Sequence, residues 1–387
     1  MTWKDYFEAA LQDKAAASGL RVQGGQVDTA DGSWIDFGSN DYLGLRKHPQ
    51  VLGTLRLLSP FGSGASPVLS GHTRIHQDVE ELLAALSGSS RSMVFSSGFS
   101  CNTGVIAALA QAEDLILSDQ LNHASLIDGS RLSKAKVHVY RHLDVESVAM
   151  YLRQHRHEFR KCLLVTESVF SMDGDVAPLT ELSAVCEKYD CGLVVDEAHA
   201  TGIYGQKGGG LTEELSLQQK VLCKLGTLSK AIGGVGGFVS GSESCIHYLI
   251  NHCRSYIFST APSPSVMHGV LAALQLLPGM EQERMQLRSA SRQLRAELGQ
   301  QGWQCSAQDS LATATDPDSP IIPVVVGSAE RALHLSRQLL EEKIHVPAIR
   351  PPTVPEGSCR LRLSLSVRHT QRDFAKLTSV MARITDV

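Results

Sequence analysis

Between about residues 92 and 240, short apolar runs alternate with longer stretches of helical period. "SMVFSS", "DLILSD", "KVHVY", "CLLVTES", "GLVVDE", "VLCKLGT" and "GGFVSG" read as strands, and "FSCNTGVIAALAQ", "VESVAMYLRQHRHEF" and "PLTELSAVCEKY" as helices between them. These strands are apolar throughout instead of alternating. That predicts burial on both faces, hence an α/β fold with a mostly parallel sheet wrapped by helices. After "YIFSTAPSPS" the texture changes to a long helical tract, a strand "IIPVVV", a helix near 329–343 and "RLRLSLS", which alternates like a half-exposed strand. The pattern predicts an N-terminal segment over 1–43, a large domain over 44–265 and a smaller α+β domain over 266–387. The opening "MTWKDYFEAALQDKAAASGL" sets Tyr6, Phe7, Ala10 and Leu11 among charges, the pattern of an amphipathic helix and not of a signal peptide.

Composition narrows the class. With 387 residues, 43% hydrophobic and 20% charged, the chain is long enough for two globular domains. The net charge of -4 is spread along the chain without a basic stripe, which argues against nucleic acid as a partner. No run approaches the roughly 18 apolar residues of a membrane span. The nine cysteines are scattered with no C-x-x-C pair, the usage expected of buried, reduced thiols in a cytoplasmic protein.

Candidate chemistry begins at "GTLSKAIGGVGG", where Lys230 stands among Gly226, Gly233, Gly234, Gly236 and Gly237. A phosphate-cradling loop and a reactive amine in a pocket both suit such a stretch. The phosphate loop needs a Gly-Lys-Ser/Thr ending, but Ser229 precedes the lysine and Ala231 follows it. No dinucleotide fingerprint is present, since "GSGASP" has Pro67 where the last glycine belongs, and no G-x-S-x-G nucleophile elbow occurs. "HTRIH" lacks the glutamate of a zinc protease and reads as a polar pair at a helix start, so no metal site is expected.

Four pieces fall at or just after predicted carboxyl ends of strands, where open α/β sheets bind ligands. In "FSSGFSCN" a helix opens near Gly98, and its free N–H groups suit a phosphate. In "VVDEAHATG", Asp196 and His199 follow a strand; a buried carboxylate there calls for a cationic partner such as a protonated pyridine nitrogen. In "LNHASLIDG", His123 could stack on a flat ring. Lys230, desolvated among small and apolar groups, could form a Schiff base with an aldehyde, and the glycines around it would leave room for a planar ring and the backbone to come close. Together these pieces fit pyridoxal 5'-phosphate, which needs all four functions.

With those residues in place, the chain resembles the pyridoxal-phosphate-dependent α-oxoamine synthases over about residues 3–380. The resemblance rests on "FGSNDYLGL", "GSGASPVLSGH", "SSGF", "NHAS", "TESVFSMDGDVAPL", "DEAHATG", "GTLSKAIGG" and "IRPPTVPEGSCRLRLSLS". It implies the aspartate-aminotransferase-type fold (fold type I) and a homodimer with active sites at the subunit interface. It also implies roles for individual positions. Lys230 would bind the cofactor aldehyde and move the α proton, Asp196 would pair with the ring nitrogen, His199 would bond the ring's phenolic oxygen and His123 would stack on the ring. Gly98 and Phe99 would lend backbone, Ser171 and Thr227 hydroxyls, and Thr260 (or Ser259) would reach the phosphate of the partner subunit. Arg362 would hold the amino-acid carboxylate, while Arg21, Asn40, Arg350 and Thr353 would line the acyl side.

"GSGASPVLSG" and "IRPPTVP" resemble the branch that condenses L-alanine with a pimeloyl thioester, carried by CoA or a carrier protein. The siblings use glycine with acetyl-CoA, glycine with succinyl-CoA or serine with palmitoyl-CoA. Three positions depart from the family pattern: Ala200 for glycine, Leu143 for asparagine and Pro67 for arginine or glycine. A catalytically inactive scaffold subunit would be marked by loss of the Schiff-base lysine, which is present. A nucleotide-binding protein would need the phosphate-loop or dinucleotide patterns, which are not.

Overall fold

The computed structural model describes residues 2–16, 33–57, 60–306 and 318–384. Seven strands form the central sheet: β1 (Arg91–Phe95), β2 (Leu115–Asp119), β3 (Lys136–Tyr140), β4 (Cys162–Glu167), β5 (Cys191–Asp196), β6 (Cys223–Thr227) and β7 (Gly237–Gly241). Their order is β1-β7-β6-β5-β4-β2-β3. Only β7 runs antiparallel to its neighbours, so the other six strands all end on one edge. β2, β4 and β6 are buried along their whole length, and β5 at every position but Gly192, because helices cover both faces.

Two apolar clusters flank the sheet. One gathers Phe95, Val105, Ile106, Val194 and Ile246; the other gathers Leu83, Leu117, Leu164, Val195 and Met267. A second sheet in the C-terminal part joins β8 (Ile321–Gly327), β9 (Ala348–Ile349) and β10 (Cys359–Ser364) in the antiparallel order β9-β10-β8. A parallel pairing of Ile35–Asp36 with Ile344–His345 fastens the segment before the large sheet to the C-terminal part. Helix α1 (Trp3–Ala16) leaves Trp3, Tyr6, Phe7 and Leu11 exposed.

The alternation in "RLRLSLS" does not mark a half-exposed strand. All of β10 is buried, with Arg360 at 4% and Arg362 at 5% exposure. Both cations have partners: Arg360 forms an ion pair with Asp173, and Arg362 donates to the carbonyl of Ser171. A paired and hydrogen-bonded cation is tolerated where a free one is not. All nine cysteines are free and buried. Among the described residues, no helix is long and apolar enough to cross a membrane.

Candidate active site

The shared edge of the parallel strands collects the chemistry. Asp119, Glu167, Asp196 and Thr227 are the final residues of β2, β4, β5 and β6, and the segment after β6 carries Lys230. Helix α2 (Gly98–Leu109) starts beside them, capped by Ser97, whose side chain accepts from the Ser100 N–H. Its first N–H groups, at Gly98 and Phe99, lie too early in the helix to find an intrahelical acceptor.

Close packing sets this helix start in place. A Cβ on Gly98 would lie 3.2 Å from Thr227, and one on Gly237 would lie 2.6 Å from the Gly98 Cα. The glycines after Lys230 therefore do not leave space for a planar ring, as their density suggested. The chain itself fills that space: a Cβ on Gly233 would meet the Arg46 backbone nitrogen at 2.4 Å, and one on Gly234 would meet Val270 at 2.6 Å.

Lys230 is half-buried, with Nζ 2.7 Å from His199 Nε2. Burial brings its pKa down from 10.5 to about 8; the charges of Asp196 and Glu167 oppose that shift and Arg362 adds to it. His199 is pushed well below its ordinary range, first by burial and then by the charge of Lys230. The neutral ring accepts from Lys230 at Nε2 and donates from Nδ1 to the Tyr42 hydroxyl at 2.7 Å. Tyr42 donates in turn to Asn40 Oδ1 (3.3 Å), which also accepts from Arg362 Nη1 at 3.0 Å. A continuous hydrogen-bonded line thus joins Lys230 to Arg362.

Asp196 is buried and accepts from the Asn102 side chain (2.7 Å) and the Ala198 N–H (2.9 Å). Its register partner on β4 is Glu167, a second buried carboxylate whose pKa burial and then the charge of Asp196 push well above its ordinary value. Glu167 accepts the His123 N–H at 2.7 Å. The His123 Nδ1 accepts from the Ser125 N–H at 3.2 Å and so caps helix α3 (Ala124–Leu132); that leaves its hydrogen on Nε2. The Phe99 ring stands edge-on to His123, centroids 6.4 Å apart.

The structure brings Lys230, Asp196, His199, His123, Gly98, Phe99, Thr227, Asn40 and Arg362 to this edge. Thr227 donates to the Gly236 carbonyl at 3.0 Å, and Ser171 meets Arg362 through its carbonyl and not its hydroxyl. Thr260 is exposed and, among the described residues, makes no hydrogen bond to the site. Arg350 and Thr353 share the turn between β9 and β10, where the Thr353 N–H donates to the Arg350 carbonyl at 3.0 Å. Arg21 lies outside the described residues.

Tyr42, Asn102 and Glu167 went unassigned by sequence reasoning. Asn102 was detectable as a polar residue in the apolar run "CNTGVIAAL", and Glu167 as a carboxylate ending an apolar strand. Tyr42 offered no such signal. Of the departures, Ala200 is buried and has no left-handed backbone angle, so it is tolerated. Leu143 sits at φ 59°, a conformation in which asparagine is several-fold more common than other non-glycine residues. Pro67 opens the turn Pro67–Gly71.

This donor set fits pyridoxal phosphate: an amine near neutrality, a buried carboxylate already held by Asn102, an imidazole with fixed tautomer, and a helix N-terminus with unpaired N–H groups.

Comparison with known proteins agrees. Residues 32–380 match the family described as aminotransferase class I and II. The chain is similar to an 8-amino-7-oxononanoate synthase of Thioalkalivibrio sulfidiphilus, at 42% identity over 90% of this chain and 88% of that one. It is similar to another from Methylobacillus flagellatus, at 38% identity over 99% and 96%. Among solved structures it is similar to the Sphingomonas wittichii serine palmitoyltransferase, with a TM-score of 0.89 and 30% identity over 99% and 98% of the two chains. An 8-amino-7-oxononanoate synthase from Francisella tularensis gives a TM-score of 0.74 and 28% identity over 92% and 99%.

Proposed function

From the chain's membership of the class I and II aminotransferase family, we propose that it condenses L-alanine with a pimeloyl thioester to give 8-amino-7-oxononanoate, a step of biotin biosynthesis. It is a pyridoxal-phosphate-dependent acyltransferase of fold type I. Backbone likeness alone does not choose among the siblings, because the serine palmitoyltransferase superposes with a higher TM-score than the Francisella 8-amino-7-oxononanoate synthase. The 42% and 38% identity to the Thioalkalivibrio and Methylobacillus synthases, against 30% to the palmitoyltransferase, supports the alanine branch.

The reaction forms a bond between the alanine Cα and the thioester carbonyl carbon and breaks the C–S bond. Carbon dioxide and the free thiol leave, and one proton is taken up. When bound, pyridoxal phosphate supplies an electron sink for charge at the amino acid's α carbon. Lys230 would hold its aldehyde, Asp196 its ring nitrogen, His123 its ring face, and Gly98 and Phe99 its phosphate. The observation that carries this reading is the line from Lys230 through His199, Tyr42 and Asn40 to Arg362.

Arg362 grips the substrate carboxylate while Lys230, whose pKa is about 8, takes the proton from Cα and later returns one. A planar, fixed guanidinium sets which α bond faces the sink, and so which bond breaks. We place the second half of each site on a second copy of this chain. Thr260 is exposed, as are Phe61, Leu69 and Phe258, an apolar set suited to burial between subunits.

Thiol release by the purified holoenzyme tests the assignment, crossing L-alanine, glycine and L-serine against pimeloyl-, acetyl- and palmitoyl-CoA. Release with L-alanine and pimeloyl-CoA is expected. Turnover confined to glycine with acetyl-CoA, or to serine with palmitoyl-CoA, would move the enzyme to a sibling branch.

A further inference from the structure

One imidazole outside the cofactor-binding set ties two loops of the site together. His142 follows β3, and its Nδ1 lies 2.7 Å from Asp119 Oδ1 while its Nε2 lies 2.6 Å from Asp175 Oδ2. A carboxylate at each nitrogen requires both nitrogens to donate, so the ring is an imidazolium. Burial opposes that charge, but the hydrogen bonds to Asp119 and Asp175 outweigh it and raise the pKa to about 9. The Phe170 ring stands edge-on against the imidazole, centroids 4.4 Å apart, and fixes its plane.

Each carboxylate governs a different loop. Asp119 ends β2 and shapes the turn to His123: its Oδ1 accepts the Leu121 N–H at 2.8 Å, and its carbonyl accepts the Asn122 N–H at 3.2 Å. Its Oδ2 accepts the N–H of Leu143, next to His142, at 3.0 Å. Asp175 lies in the turn after β4, which is closed by a bridge between Val169 and Val176 and by the Phe170 N–H donating to the Asp175 carbonyl at 2.9 Å. The tip of that turn presents the Ser171 carbonyl to Arg362 Nε and the Asp173 carboxylate to Arg360. With Nη1 on Asn40 and Ser364, these contacts fix the plane of the Arg362 guanidinium.

We propose that His142 is a positioning residue for amino-acid recognition: by bridging Asp119 and Asp175 it holds the turn that aims Arg362 in register with the His123 loop. This rests on the reading of Arg362 as the carboxylate-binding group. Without the bridge, Arg362 keeps its charge and its strand but loses the fixed angle of its guanidinium. Amino-acid binding then suffers while the acyl side does not.

The test uses cofactor-loaded His142→Ala, Asp175→Ala and Asp175→Asn proteins. The dissociation constant of L-alanine is read from the change in cofactor absorbance, alongside KM for both substrates and kcat. Both alanine variants are expected to weaken L-alanine binding by about tenfold and to lower kcat as well, because the guanidinium also sets which α bond faces the sink, while the thioester KM stays within about threefold. Asp175→Asn, which keeps an acceptor for the imidazole, should recover most of the loss. The double variant should be no worse than either single one, as members of one network behave.

Hydrogen exchange of the cofactor-free proteins should show lost protection over residues 168–177 in His142→Ala. Unchanged L-alanine affinity in both Asp175 variants, or an equal loss for both substrates, overturns the proposal even if His142→Ala fails to fold. Arg362→Lys separates the two levels. If it leaves L-alanine binding intact, the reading of Arg362 fails and this proposal with it. If it weakens binding and the His142 and Asp175 variants do not, only the bridge is refuted.

Discussion

The amine of Lys230 offers a direct measurement of how the site is built. Its ordinary pKa of 10.5 is brought to about 8, chiefly because burial disfavours the ammonium ion. At pH 7.5 an amine with that pKa is deprotonated about a quarter of the time, against roughly one part in a thousand for a solvated lysine. Cofactor-free protein should therefore capture pyridoxal phosphate at Lys230 roughly 200-fold faster than a surface lysine of equal nucleophilicity would. The rate should rise with pH and level off above the midpoint near pH 8, since the free amine predominates above its pKa.

Visible absorbance in a stopped-flow instrument follows the reaction, with Lys230→Ala as the blank for other lysines. Two variants check the signs. Asp196→Asn removes a charge that favours the ammonium form, so the midpoint should fall; Arg362→Met removes a cation that disfavours it, so the midpoint should rise. A wild-type midpoint near 10.5, or shifts of the opposite sign, would refute the argument from burial and charge.

Two further outcomes follow from packing. Gly237→Ala would place a Cβ 2.5 Å from the Ser97 carbonyl oxygen and 2.6 Å from the Gly98 Cα, so the helix start must move; cofactor affinity should fall by about tenfold and stability by about 1–3 kcal/mol, read by fluorescence titration and urea unfolding. Unchanged affinity would mean that the N–H groups of Gly98 and Phe99 do not hold the phosphate. Leu143→Gly relieves a left-handed backbone worth about 1–2 kcal/mol but removes a buried leucine side chain worth about 2–5 kcal/mol. A net loss of stability is expected by thermal or urea unfolding, and a more stable variant would show that strain outweighs burial there.

The apolar runs revealed the strands of the central sheet because a strand buried on both faces must be apolar throughout, whatever its neighbours are. Lys230, Asp196, His199 and His123 were visible for a related reason: each stands where such a run ends, and each is a residue type that apolar surroundings do not otherwise retain. The sequence misled in two places. "RLRLSLS" alternates, but its arginines are buried because Asp173 and the Ser171 carbonyl arrive from a loop nearly two hundred positions away, an arrangement no local pattern records. The glycines after Lys230 pointed to room for a ring, yet they are small because Arg46, Val270 and Gly98 press against them.

Periodicity and residue type were thus sufficient for the strands of the large sheet and for four of the groups gathered at the candidate site, since those depend on local burial and intrinsic chemistry. Strand order and loop closure decided the rest. Glu167 became the partner of Asp196 only when β4 lay beside β5, and Asn102 reached Asp196 only when its helix packed across the sheet edge. Tyr42 joined His199 to Asn40, and His142 joined Asp119 to Asp175, across separations in sequence that only the folded chain closes. A pKa near 8 on Lys230 belongs to the same category. Desolvation and the summed field of Asp196, Glu167 and Arg362 are properties of distance, and those distances exist only after folding.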